Sequence, residues 1–153
     1  MRLRKIVALL LVLVISLCAI PVLAENQPNI GDDANLLTAG EREELRPFFI
    51  RRMQEECSIA KENVQGLSRM GGSDNMARLA AIRSNIYAVY SLNQLYSSIY
   101  GDEIVSNDLL QSILNAIDGY SADLAAGGMK GTAYLTEISQ NITELSDFLE
   151  SCQ

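Results

Sequence analysis

The sequence predicts an all-α protein, an antiparallel up-down-up-down four-helix bundle. Three observations carry this. Apolar residues recur at intervals of three and four along four segments after residue 38, the spacing of one helix face. No segment alternates with a period of two over a useful length, so no strand is predicted. The connections between the segments are short, as neighbouring bundle helices require.

The chain opens with Arg2, Arg4 and Lys5, an apolar run Ile6–Ile20, then Pro21 and Val22-Leu23-Ala24. A charged start, an apolar middle and a small-residue end, in that order, read as a signal peptide over 1–24. The rival is an uncleaved anchor, since ~20 apolar residues span a bilayer. A lipoprotein would place a small residue before Cys18, where Leu17 stands. Cleavage predicts a mature, exported chain beginning at Glu25, periplasmic or extracellular, with no stable membrane association. Nine basic against nineteen acidic side chains then leave a formal charge of −10. Such a chain does not suit nucleic acid, which demands clustered Lys and Arg.

Residues 25–37 carry Pro28, Gly31 and Asp32-Asp33 without a period and read as a flexible arm. The helical domain spans 38–153. Thr38 with Glu41 three residues on is a capping box that opens the first helix. Pro47 is expected to kink or split it. Its stripe is Ile50, Met53, Cys57, Ala60, Val64 and Leu67, and Gly71-Gly72 ends it. Ser73-Asp74-Asn75 caps a second helix reaching about Tyr100. Its stripe holds Leu79, Ile82, Ile86 and Val89, with Leu92, Leu95 and Ile99 beside it, and Ser84–Gly101 carries no charge. This helix is expected to be the most buried.

Gly101-Asp102-Glu103 is a turn, and Ser106 or Asn107 caps a third helix with Leu110, Ile113, Leu114, Ile117, Tyr120 and Leu124. Gly119 should weaken it. Glycines punctuate the loop Ala125–Gly131. In the fourth helix Leu135, Ile138, Ile142, Leu145, Leu149 and Cys152 follow a three–four spacing, with Glu137, Glu144, Asp147 and Glu150 on the other side. That is a bundle seam.

Up-down-up-down topology returns the end of the fourth helix to the beginning of the first. Cys57 and Cys152 both lie on core-facing stripes, and an oxidising compartment favours pairing an even count. A Cys57–Cys152 disulfide is expected.

The chemistry is read mainly by subtraction. The chain has no histidine. That removes Ser-His-Asp and Cys-His catalysis, His-ligated haem, most zinc sites and the Glu-x-x-His di-iron motif. Glu43-Glu44 and Glu55-Glu56 diverge by about 100° on a helix and do not converge on one point. Asp102, Glu103 and Asp108 lack the spacing of a calcium loop. Arg42, Arg46, Arg51 and Arg52 are interleaved with glutamates, and Arg51–Glu55 and Arg52–Glu56 are i,i+4 pairs. Asn141-Ile142-Thr143 is a glycosylation sequon. No cofactor or metal is expected.

Four tyrosines, Tyr87, Tyr90, Tyr96 and Tyr100, crowd the second helix. Tyrosine offers broad amphipathic contact area at low entropy cost. Tyr96 and Tyr100, near the helix end, are expected to be the more exposed and are the candidate anchors for a partner. The sequence thus predicts an exported protein that binds a macromolecular partner without catalysis, as an adaptor or inhibitor does. An acidic surface favours a basic protein partner. The alternative is a carrier of a small apolar ligand or lipid, with Ala80, Ala81, Ala88, Ala125 and Ala126 leaving room between helices.

Overall fold

The computed structural model describes residues 37–67, 73–128 and 131–152. The leader expected over 1–24 and the arm before Leu37 lie outside the described residues. The first helix, expected to run to Gly71-Gly72, instead ends at Gln65 with Gly66 as its cap, so Leu67 lies beyond it. Four helices account for most of the rest: α1 (Ala39–Gln65), α2 (Ser73–Tyr100), α3 (Asn107–Ala125) and α4 (Gly131–Ser151). Among the described residues there is no strand. Packing runs α1–α2, α2–α3, α3–α4 and α4–α1, a ring that fits a helical bundle.

The capping box opens α1. The Thr38 hydroxyl accepts from Glu41 N at 3.3 Å, and the Glu41 carboxylate accepts from Thr38 N at 2.9 Å. Two of the donors that a helix start leaves orphaned are thereby satisfied. Pro47 lies inside α1 and does not split it. Proline takes one hydrogen bond away from the carbonyl four residues before it, at Glu43. Glu43 and Pro47 are both exposed, so water can serve that carbonyl and the helix continues.

The interior follows the predicted stripes and adds to them. Met53, Cys57 and Ala60 of α1 are buried, as are Leu79, Ile82, Ile86 and Val89 of α2. The α1 core also takes Phe49 and Glu56. The uncharged stretch of α2 is not uniformly inside. Ser84, Tyr87, Gln94 and Ser98 are exposed, so one side of it is a neutral polar face. Absence of charge marked amphipathic helix here, not burial on every side.

Asn93 is fully buried and anchors the α2–α3 connection. Its Oδ1 accepts from Ile104 N and Val105 N, each at 3.0 Å, and its Nδ2 donates to Val105 O at 2.8 Å. These bonds tie down backbone that would otherwise be buried without partners. Gly101 closes α2 with φ of 83°, a region that a side chain enters at a cost.

In α3, Leu110, Ile113, Leu114, Ile117 and Tyr120 are buried as expected. Ser106 occupies the cap position without a side-chain bond; the Glu103 carboxylate instead accepts from Asn107 N at 3.3 Å. Gly119 is a packing position. A methyl group there would stand 2.8 Å from the Tyr134 ring of α4, so the glycine lets α3 and α4 approach.

Helix α4 buries Ile138, Ile142, Leu145 and Leu149 and exposes Glu137, Glu144, Asp147 and Glu150. The expected Cys57–Cys152 bridge does not form: both thiols are free. The Cys57 thiol lies against Ile142 O at 3.9 Å, ten residues before Cys152, or roughly 15 Å of helix. Gln54, three residues before Cys57, donates to Leu149 O at 2.8 Å. The cysteines share a seam but sit at different heights along it, and a bridge needs Cα atoms within about 7 Å.

Candidate functional site

The tyrosine cluster is distributed differently from the sequence expectation. Tyr96 is 2% exposed and Tyr87 51%; Tyr90 and Tyr100 are half-buried. The supposed anchors Tyr96 and Tyr100 are therefore not the exposed pair. The reason is Phe49, one turn past Arg46 on α1. Its ring meets Tyr96 edge-on at 5.8 Å and Tyr100 at 6.5 Å. Tyr96 stacks on Tyr100 at 4.2 Å between centroids. The Tyr100 hydroxyl donates to Arg42 O. An aromatic trio of this kind contributes beyond its buried area, and it fastens the end of α2 to the beginning of α1.

Tyr96 nevertheless reaches a site, as the floor of an open groove of about 770 Å³. Helix α1 supplies one wall with Arg46 and Arg51, and the turn after α2 supplies the other with Asp102 and Glu103. Helix α4 contributes Phe148, which is 44% exposed, and Cys152 follows directly after the helix. Burial raises the Tyr96 phenol above its ordinary value, with Arg46 pulling it back and Asp102 pushing it further up. Tyr100 is raised likewise, first by burial and then by Tyr96. Both hold their protons at neutral pH and present hydrogen-bonding and apolar surface. Burial also pushes the Cys57 thiol up to about 11, which leaves it an inert core residue.

The other sequence candidates fall into structural roles. Arg52, not Arg51, takes both nearby acids, at 2.7 Å to Glu55 and 2.6 Å to Glu56. Asn85 of α2 donates to the second Glu56 oxygen at 2.7 Å, so this buried carboxylate cross-links α1 and α2. No ion pair among the described residues involves Arg46 or Arg51. Asn141 of the sequon is half-buried and donates to Ser112 Oγ at 3.4 Å. Among the described residues no three Cys, Asp or Glu side chains converge as a metal site. Ala80, Ala125 and Ala126 are exposed and Ala81 and Ala88 half-buried; they do not line an interior.

Once the helices are paired, a charge division emerges that single-helix reading missed. Residues 37–100 carry seven acids and eight bases, whereas residues 101–153 carry nine acids and Lys130 alone. On α3 the outer stripe is Asp108, Gln111, Asn115 and Asp118, the last paired with Arg83 of α2 at 2.8 Å; on α4 it is Glu137, Gln140, Glu144 and Asp147, all exposed. The α3–α4 surface is thus built from carboxylates and amides. The charge division was countable in the sequence; which of the acids meet water was decided by the packing.

No protein-family model, no curated protein and no solved structure matches this chain, so its function is read from the residues themselves.

Proposed function

We propose that this is an exported protein that binds a basic macromolecular partner without catalysis, as an adaptor or inhibitor does. The observation that carries the reading is the acidity of the α3–α4 half: residues 101–153 hold nine acids and one lysine. Its stripes display carboxylates and amides at helical spacing. Such a surface accelerates encounter with a cationic partner, and the amides supply directional contacts once it has docked. The absence of histidine from the chain and the protonated state of the buried phenols favour binding over proton transfer.

In this reading the bundle is antiparallel and up-down-up-down, with α1 bent at Pro47. The pairings Glu56–Asn85 and Arg42–Tyr100 support opposed directions for α1 and α2. The leader is removed, and the exported chain begins at Glu25.

The test is recovery of the tagged protein from its own source, beside a variant carrying Glu137→Lys, Glu144→Lys and Asp147→Lys. A basic protein should accompany the original, be absent from the variant, and dissociate as salt rises. N-terminal analysis should return Glu25. Equal recovery of the same partner by both forms overturns the reading. So does an apolar small molecule bound in native mass spectrometry with no protein partner, which marks the carrier instead.

A further inference from the structure

The groove beside Tyr96 is distinct from the α3–α4 surface and has a different electrostatic character. Arg46 and Arg51 make the side that α1 lines cationic, and Asp102 and Glu103 make the side lined by the turn after α2 anionic. Arg46, Arg51 and Asp102 form no ion pair among the described residues. Glu103 is partly engaged, accepting from Asn107. Between the walls lie Ile50, Ile104 and the exposed ring of Phe148.

A wholly basic partner would meet Arg46 and Arg51, and a wholly acidic one Asp102 and Glu103. A partner that satisfies both walls must carry both signs in the reverse order. A copy of this chain turned by a two-fold axis carries them in that order. In a two-fold contact, residue i meets j while j meets i. Asp102 of each copy then faces the arginines of the other, and each Phe148 is withdrawn from water. The chain is strongly acidic as a whole, and this groove is a place where the local charges cancel and close approach of two copies is not opposed. We propose that the groove is the docking surface for a second copy of this chain, in an isologous dimer.

Charge swapping tests this on the exported protein. Arg46→Glu with Arg51→Glu makes both walls acidic, and Asp102→Arg with Glu103→Arg makes both basic. Either variant alone should dimerise at least about tenfold more weakly than the original, because like charges then face each other. Mixed in equal amounts, the two variants should restore the dimer, since each wall of one again meets its opposite on the other. Sedimentation equilibrium reads all three samples, and unchanged helical circular dichroism confirms that each is folded. Phe148→Glu, on an exposed ring, gives a second route should either charge variant fail to fold, and it should also yield monomer. Alkylation of Cys152, which lines the groove, should slow as protein concentration rises. A monomeric original protein up to millimolar concentration overturns the proposal. So does a dimer unaffected by any of these substitutions, or one that mixing fails to restore.

Discussion

The α1–α2 half and the α3–α4 half share one core but are built differently. The first holds six of the nine aromatic residues and nearly balanced charge; the second is largely aliphatic and almost free of bases. Helices α1 and α2 are joined by specific polar and aromatic links: Arg52–Glu56–Asn85, and Phe49 against Tyr96 and Tyr100. Helices α3 and α4 meet through an aliphatic seam, the close approach at Gly119 and the stacked rings of Tyr120 and Tyr134. The comparison teaches that an apolar stripe suffices where a helix buries little else. Where buried polar and aromatic groups carry the contact, the stripe understates what is inside.

The largest effect is expected in the aliphatic half. Leu145 is fully buried, and Leu145→Asp places an unpartnered charge in the core, costing about 4 kcal/mol or more and unfolding the bundle. Asp147→Ala, on the exposed side, should change stability by less than about 0.5 kcal/mol. Thermal melts of the two variants check the seam, and equal effects would break the assignment.

In the aromatic half, Tyr96→Ala should cost about 3–5 kcal/mol, since it removes a buried ring from the trio. Tyr87→Ala should cost less than about 1 kcal/mol, because that ring is half in water. Denaturant titration reads both. Comparable losses would mean that the burial difference within α2 is wrong.

Asn93→Ala sharpens the point about polar links. It leaves Ile104 N and Val105 N without their acceptor, at a cost of about 2–3 kcal/mol. Hydrogen exchange should accelerate first at those two amides. If it accelerates uniformly, Asn93 is only filling space.

A smaller effect than the loss of Asn93 is expected on pH dependence. Burial pushes Cys57 from 9.0 up to about 11, so the folded protein holds this proton more tightly than the unfolded chain. Its contribution to stability is complete below pH 9 and is lost as pH rises toward 11, by up to about 2 kcal/mol. Cys57→Ala should flatten the stability profile in that window. Unchanged slopes would place the thiol in contact with water.

Much of this fold was legible in the chain. The Thr38–Glu41 box, the stripes of α3 and α4 and the buried quartet Leu79, Ile82, Ile86 and Val89 all follow from local rules. Capping depends on residues three apart, and amphipathicity on spacing within one helix, so neither needs knowledge of a neighbour. What escaped depends on relations between helices. Whether Pro47 splits α1 was decided by its solvent exposure. The missing Cys57–Cys152 bridge was decided by the heights of two helices along their seam, which stripe phase does not measure. Tyr96 went inside and Tyr87 outside because Phe49 of another helix claimed one of them. The groove joins residues from α1, the turn after α2 and α4, and sequence proximity connects only members of the same wall. The sequence by itself determined where helices begin, which faces are apolar and which catalytic residue types are missing, because these are properties of single segments. Only the tertiary structure decided which tyrosines meet water and which charges share a surface, because those depend on how the segments are placed against one another.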